Sequence, residues 1–197
     1  MDEKVSHKER TRARILDEAA KAMRTHGSEG IGVAALMKRA GLTHGGFYAH
    51  FASRDDLVVH AIERMFQDSR ALVDRHLGGG DAREGLSSLI DAYLSDALLR
   101  TPDRGCPLPG LSGEVSRLPA GARVHFQESM KRFRSGIARA LSAMGVADAD
   151  RLAASALAEM VGAMSLARAT SDEAEARRSL AASRDALKRR LGLDQAL

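Results

Sequence analysis

An all-α chain is predicted, and three observations predict it. Aromatic residues make up only 4% of the sequence and tryptophan is absent, while alanine, leucine and arginine are abundant. That bias favours helices over strands, which prefer β-branched and aromatic side chains. Four prolines in 197 residues leave long stretches without a breaker. Apolar residues then recur at three- and four-residue spacing, the signature of one helical face. The hydrophobic fraction of 44% is that of a globular chain with a real core.

The first helix is expected from Lys8 to His26, with Ile15, Ala19, Ala22 and Met23 inward and Gly27 as its stop. Residues 1–8 precede it as a disordered arm, whose Lys4, His7 and Lys8, with Arg10 just beyond, can reach phosphates; a solvated tail accounts for them equally well. In the next helix Val33, Leu36, Met37 and Ala40 fall on one face. Gly41 stands where a helix ends in the left-handed conformation. Leu42 plugs the angle that follows, and Thr43 is a suitable N-cap for a third helix. Phe47 and Phe51 give that helix a buried side, leaving Thr43, His44, Gly45, Tyr48 and His50 outward. Two helices around a glycine turn, the second displaying small groups and hydrogen-bonders, form a helix-turn-helix that suits the major groove. The pair Gly45-Gly46 costs about 1 kcal/mol per residue in a helix interior, which close approach of the backbone to DNA explains better than folding does.

The run from Gly30 to Leu57 closely resembles the N-terminal DNA-binding domain of the TetR family of transcriptional repressors. Gly45, Phe47, Tyr48, Phe51, Ser53, Arg54 and Leu57 all stand at the family's offsets. One position departs: Gly32 occupies the place where the family usually has a Ser or Thr cap, a small loss. The resemblance implies an N-terminal three-helix DNA-binding domain, residues 1–52, and a C-terminal helical ligand-binding and dimerisation domain, residues 53–197, with about nine helices in all. It implies DNA contacts from Arg12, Thr43, His44, Gly45, Gly46, Tyr48, His50 and Arg54, Tyr48 and Arg54 to phosphates. For Arg12 and His50 plain solvation is almost as good an account. It also implies a homodimer through the last two helices, a double-stranded DNA operator, and a small-molecule effector.

A fourth helix follows, capped by Ser53 with Asp55 and Asp56 in its first turn. Its stripe of Leu57, Val58, Ala61, Met65, Leu72 and Val73 runs toward His76, linking the two halves. Gly78-Gly79-Gly80 ends it without the Lys-Ser/Thr of a phosphate loop. A fifth helix is expected over Ala82–Leu99, then a proline- and glycine-rich break, a short helix over Leu111–Arg117, and a long one from Pro119 to Met144. Gly145 breaks the pattern, Asp148 caps a helix over Ala149–Ala169, and Ser171 starts the last one, reaching Leu191.

Phe66, Tyr93, Cys106, Leu111, Phe126, Met130, Phe133, Met160 and Met164 are the candidate lining of an effector cage. Each alone is more readily plain core, but together they suit a hydrophobic or aromatic molecule. Cys106 is read first as a small buried hydrophobe; the alternative is a redox- or electrophile-sensing thiol, activated by Arg104 and a nearby helix start. The single cysteine excludes an intrachain disulfide. No metal, cofactor or catalytic spacing is found, so no enzyme is expected. A carrier of small molecules without DNA binding is the remaining rival. No signal peptide or membrane span is expected, and a formal net charge of +4 is compatible with nucleic acid, which together place the chain in the cytoplasm.

Overall fold

The computed structural model describes residues 6–30 and 32–194; residues 1–5 of the expected arm lie outside the described residues. Among the described residues every regular element is a helix. The α-helices are α1 (His7–His26), α2 (Val33–Arg39), α3 (Arg54–Leu77), α4 (Ala82–Tyr93), α5 (Asp96–Leu99), α6 (Leu108–Leu111), α7 (Ala120–Ala143), α8 (Ala149–Ala169) and α9 (Glu173–Arg190). Two 3-10 helices, His44–Ala49 and Ser112–Arg117, complete the set.

The spine is α3. Its N-terminal half packs on α1, and its length lies against α4 and α7. Beyond α7 come α8 and then α9, stacked in chain order. One continuous apolar core runs from Ile15 of α1 to Leu193. Where α7 crosses α3, a Cβ on Gly136 would sit 3.0 Å from Val73, so the glycine lets the two helices approach.

The ends of these helices show where local chemistry acts. Ser6 forms a capping box with Glu9: the Glu9 amide donates to Ser6 Oγ at 3.2 Å and the Ser6 amide to Glu9 Oε2 at 2.8 Å. The first helix therefore begins at His7, absorbing the end of the expected arm. After α2 the backbone closes as a Schellman motif, with Gly41 at φ +68°; Gly41 N–H donates to Lys38 O and Leu42 N–H to Met37 O. Ser53 Oγ caps α3 by accepting from the Asp56 amide.

Other ends differ from expectation. Thr43 takes the N-cap place but makes no side-chain cap bond, and the segment after it is a 3-10 helix. The helix expected over 82–99 breaks after Tyr93, because Ser95 Oγ accepts from the Leu98 amide and starts a separate turn. The short helix expected at 111 begins at Leu108 and tightens to 3-10 geometry from Ser112. Pro119 precedes α7 rather than lying in its first turn. Asp148 adopts a left-handed conformation at φ 55° and caps nothing; its carboxylate pairs with Arg151. Asp172, not Ser171, caps α9, accepting from the Ala174 and Glu175 amides.

One described helix, α8, is long and apolar enough to cross a membrane by length and composition, a span the sequence reading did not expect. It lies between α7 and α9 and carries Glu159, paired with Arg190 of α9. Arg168 near its end donates to Leu98 O at 3.1 Å.

Candidate DNA interface and ligand cavity

The helix-turn-helix is held by its apolar face. Phe47 and Phe51 stack with centroids 5.6 Å apart and are both buried. Met37 and Leu36 of α2 pack from the other side. This anchoring turns the opposite face outward. Thr43, His44 and Gly45 are exposed, Gly46 and His50 half-buried. Tyr48 is 69% exposed, its ring edge-on to Phe47 at 5.2 Å. An exposed aromatic ring braced by a buried one is a poor arrangement for folding and a good one for contact with a partner.

Neither Gly45 nor Gly46 is required by the fold. Both have ordinary negative φ, a Cβ on Gly45 would meet nothing within 4 Å, and one on Gly46 would make only ordinary contacts at 3.7 Å. Glycine here clears the outer surface rather than an inner one.

Cations collect beside this face. The Arg12 guanidinium lies over the Phe51 ring, 4.9 Å from its centroid. His50 sits near Lys8, Arg12 and His7; burial first, and then those charges, hold its pKa below the usual histidine value. Its Nδ1 is buried without a partner. The structure thus brings seven of the eight sequence-predicted DNA contacts into one region. Arg54 is the exception in its bonding. Its guanidinium donates to Ser28 O at 2.6 Å and lies 3.6 Å from Glu29, tying the start of α3 to the α1–α2 junction.

A second junction was not foreseen. Glu114, on the second 3-10 helix, accepts from the Ser28 amide at 2.8 Å and from Ser28 Oγ at 2.6 Å. Arg24 of α1 is buried, and donates to Asp68 at 2.6 Å, Met65 O at 3.1 Å and Asp103 O at 3.3 Å. Burial pulls its pKa down and Asp68 opposes that. These partners are far apart in sequence, so no local spacing signals them.

The expected cage residues divide. Phe66 meets Phe126 edge-on at 5.2 Å, and Tyr93 meets Phe133 at 5.8 Å. Leu111, Met160 and Met164 are fully buried core. Met130 is 43% exposed and lies outside the cage, over a groove with Leu157 and Val161. Three residues before Phe133 is about 60° round the helix, which turns Met130 toward the edge facing α8. Between α3 and α7 a groove of about 440 Å³ is lined by Phe66, Ser69, Val73 and Phe133, a size in the range of small-molecule sites.

Cys106 is 1% exposed. Its thiol neighbours Ser69 and Tyr93, and burial pushes it above the usual thiol range despite those contacts. Arg104, expected to activate it, points to solvent beside Asp103. Burial likewise drives the Tyr93 phenol well up, and neither its hydroxyl nor that of Ser69 has a well-formed hydrogen-bond partner.

Fold and exposed face together define an all-helical chain that presents an N-terminal helix-turn-helix. Residues 15–61 match the model of the bacterial regulatory proteins of the tetR family. No curated protein matches the sequence. Solved structures share the fold over nearly the whole chain. A TetR-family transcriptional regulator from Agrobacterium tumefaciens is 21% identical, covering 93% of this chain and 98% of its own, with a TM-score of 0.81. A TetR transcriptional regulator from Chloroflexus aurantiacus is 24% identical over 94% and 96%, also at 0.81. The reduced form of E. coli NemR is 22% identical over 91% and 96%, at 0.77. The family match covers the helix-turn-helix region, and the chain as a whole is similar in fold to TetR-family transcriptional regulators.

Proposed function

We propose that the protein is a homodimeric repressor that binds a pseudo-palindromic operator in the cytoplasm and is released by a small hydrophobic or aromatic molecule. The observation that carries the reading is the outward face of residues 43–50. Thr43, His44, Gly45 and Tyr48 stand exposed on a segment whose other side is locked into the core. Arg12 is braced on Phe51 next to it. Two such faces would enter half-sites about 34–36 Å apart. Ligand in the C-terminal half would favour a spacing that no longer fits, and would lose as much affinity for the DNA-bound form as DNA loses for the ligand-bound one.

Support for the dimer comes from α8, the most apolar of the long described helices, of which the chain itself buries only about a third. Leu166 on it is 71% exposed. Nothing in the geometry of Cys106 favours the thiol-sensor alternative, since the sulfur is buried and its thiolate disfavoured. The carrier alternative leaves the exposed face of residues 43–50 without a purpose.

The test is binding to the DNA upstream of the protein's own gene at two salt concentrations, and to operators selected from random DNA. The comparison protein carries Tyr48→Ala with His44→Ala. Tight binding that weakens with salt as phosphate contacts require, lost in the folded double variant, is the expected result. Failure to bind in both searches would sink the repressor and leave the carrier.

A further inference from the structure

The groove between α3 and α7 has an apolar floor and a cationic rim. Phe66, Val73 and Phe133 form the floor. Around it stand Arg70, Lys131, Arg132 and Arg139, against two acids, Asp74 and Glu128. None of the four cations forms an ion pair among the described residues, whereas Arg24, Arg64, Arg177 and Arg190 all do. Arg139 reaches to within 4.0 Å of where a Cβ on Gly136 would lie, so it overhangs the helix crossing. At the wall, Ser69 is 4% exposed, its hydroxyl beside the Cys106 thiol without a well-formed hydrogen bond.

We propose that this groove is the effector site and that it takes an amphipathic organic monoanion: an apolar ring or short acyl body against Phe66 and Phe133, with its carboxylate or sulfonate among Arg70 and Arg132. The inference rests on the effector-responsive reading above and names the ligand class. A neutral apolar molecule would leave the cations unused. A sugar phosphate would leave the aromatic floor facing polar groups. The two acids, Asp74 and Glu128, cut the net excess to two cations, which suits an anion of low charge carried on an apolar body rather than a polyphosphate. Cations over a low-dielectric floor also concentrate the field on the ligand head. The site lies one residue along α3 from Asp68, which holds Arg24 of α1, so an occupant of the groove bears on the attachment of the DNA-binding half.

The test uses the full-length protein and two fluorescent probes that share one diarylamine body: anilinonaphthalene sulfonate, which is anionic, and phenylnaphthylamine, which is neutral. The anionic probe should bind about 10-fold tighter or better, as a charge-assisted contact implies. Arg70→Gln with Arg132→Gln should remove that advantage and leave the neutral probe unchanged, while Arg70→Lys with Arg132→Lys should keep most of it. Equal binding of the two probes by the parent, or no binding, would overturn the proposal. So would an unchanged preference in the glutamine variant, or the same loss in Arg134→Gln, which lines the separate groove beside Met130. All these substitutions are at rim positions outside the core, so folding is preserved. Operator binding is measured in parallel: a parent that binds the anion and no DNA fails as a repressor but keeps the groove.

Discussion

At the scale of single residues, Gly45 separates folding from function. Its φ is negative and a Cβ there would meet nothing within 4 Å. Alanine should therefore leave the melting temperature unchanged or raise it slightly, since replacing glycine at a compatible site gains about 0.4–1 kcal/mol. If the backbone approaches DNA at this point, Gly45→Ala weakens operator binding about 10-fold or more by fluorescence anisotropy, a penalty of at least about 1.4 kcal/mol. Unchanged binding would remove close approach as the reason for the glycine. His50 gives a second test, through pH. In the free protein its pKa is held down by burial, with Lys8, Arg12 and His7 adding to the effect. Folding thus favours the neutral ring; the stability this contributes is present above the ordinary histidine pKa and is lost as pH falls through it. Phosphate beside those cations would offset their charge and raise the pKa again. Binding then takes up a proton, so operator affinity rises as pH drops from about 7.5 toward 6. His50→Gln should flatten that slope; an identical slope in the variant would place His50 away from the phosphates.

At the scale of elements, what was legible in the sequence was what short-range spacing encodes. Val33, Leu36, Met37 and Ala40 with Gly41 specify a helix and its Schellman close, and both are present. The apolar stripe of α3 was legible for the same reason. Side chains that compete with backbone bonds were not: Ser95 restarting the helix at residue 96, or Asp172 capping α9 one residue after Ser171, leave the apolar period nearly unchanged. Longer-range ties had no signal at all. Glu114 gripping Ser28 joins residues 86 apart, and Arg24 to Asp68 joins residues 44 apart. The outward face of the reading segment was legible because Phe47 and Phe51 fix which side is inward; the cationic rim of the groove was not, because Arg70 and Arg132 come together only when α3 meets α7. The Glu114 tie carries a prediction. It holds the α1–α2 junction to the C-terminal half through two hydrogen bonds, one to an otherwise free amide. Glu114→Ala should raise hydrogen exchange at residues 27–29 by about 10-fold, as loss of about 1–3 kcal/mol of local stability predicts, with little change in α7 or α8. Uniform loss of protection across the chain would instead make Glu114 a general support of the fold.

At the scale of the whole molecule, α8 leaves an apolar surface that the chain does not cover. The helix is long and apolar, yet the chain buries only about a third of it. Leu166 stands at 71% exposure on that helix. A membrane is a poor cover for it, because Glu159 and Arg168 are engaged with Arg190 and Leu98 of this same chain. The second copy of α8 and α9 proposed above would cover it without disturbing those bonds. Leu166→Glu places a charge where the proposed partner would bury it, at little cost to the monomer, because the side chain is already in solvent. The expected result is a monomer by sedimentation at concentrations where the parent is a dimer, with the melting temperature of the remaining fold changed little. Operator affinity should fall about 100-fold or more, since two linked reading segments gain about that factor over one. The affinity for a single half-site should stay as it was, which separates a lost partner from a damaged reading segment. A variant that remains dimeric and binds the full operator normally would show that the copies meet elsewhere and that Leu166 is simply an exposed leucine.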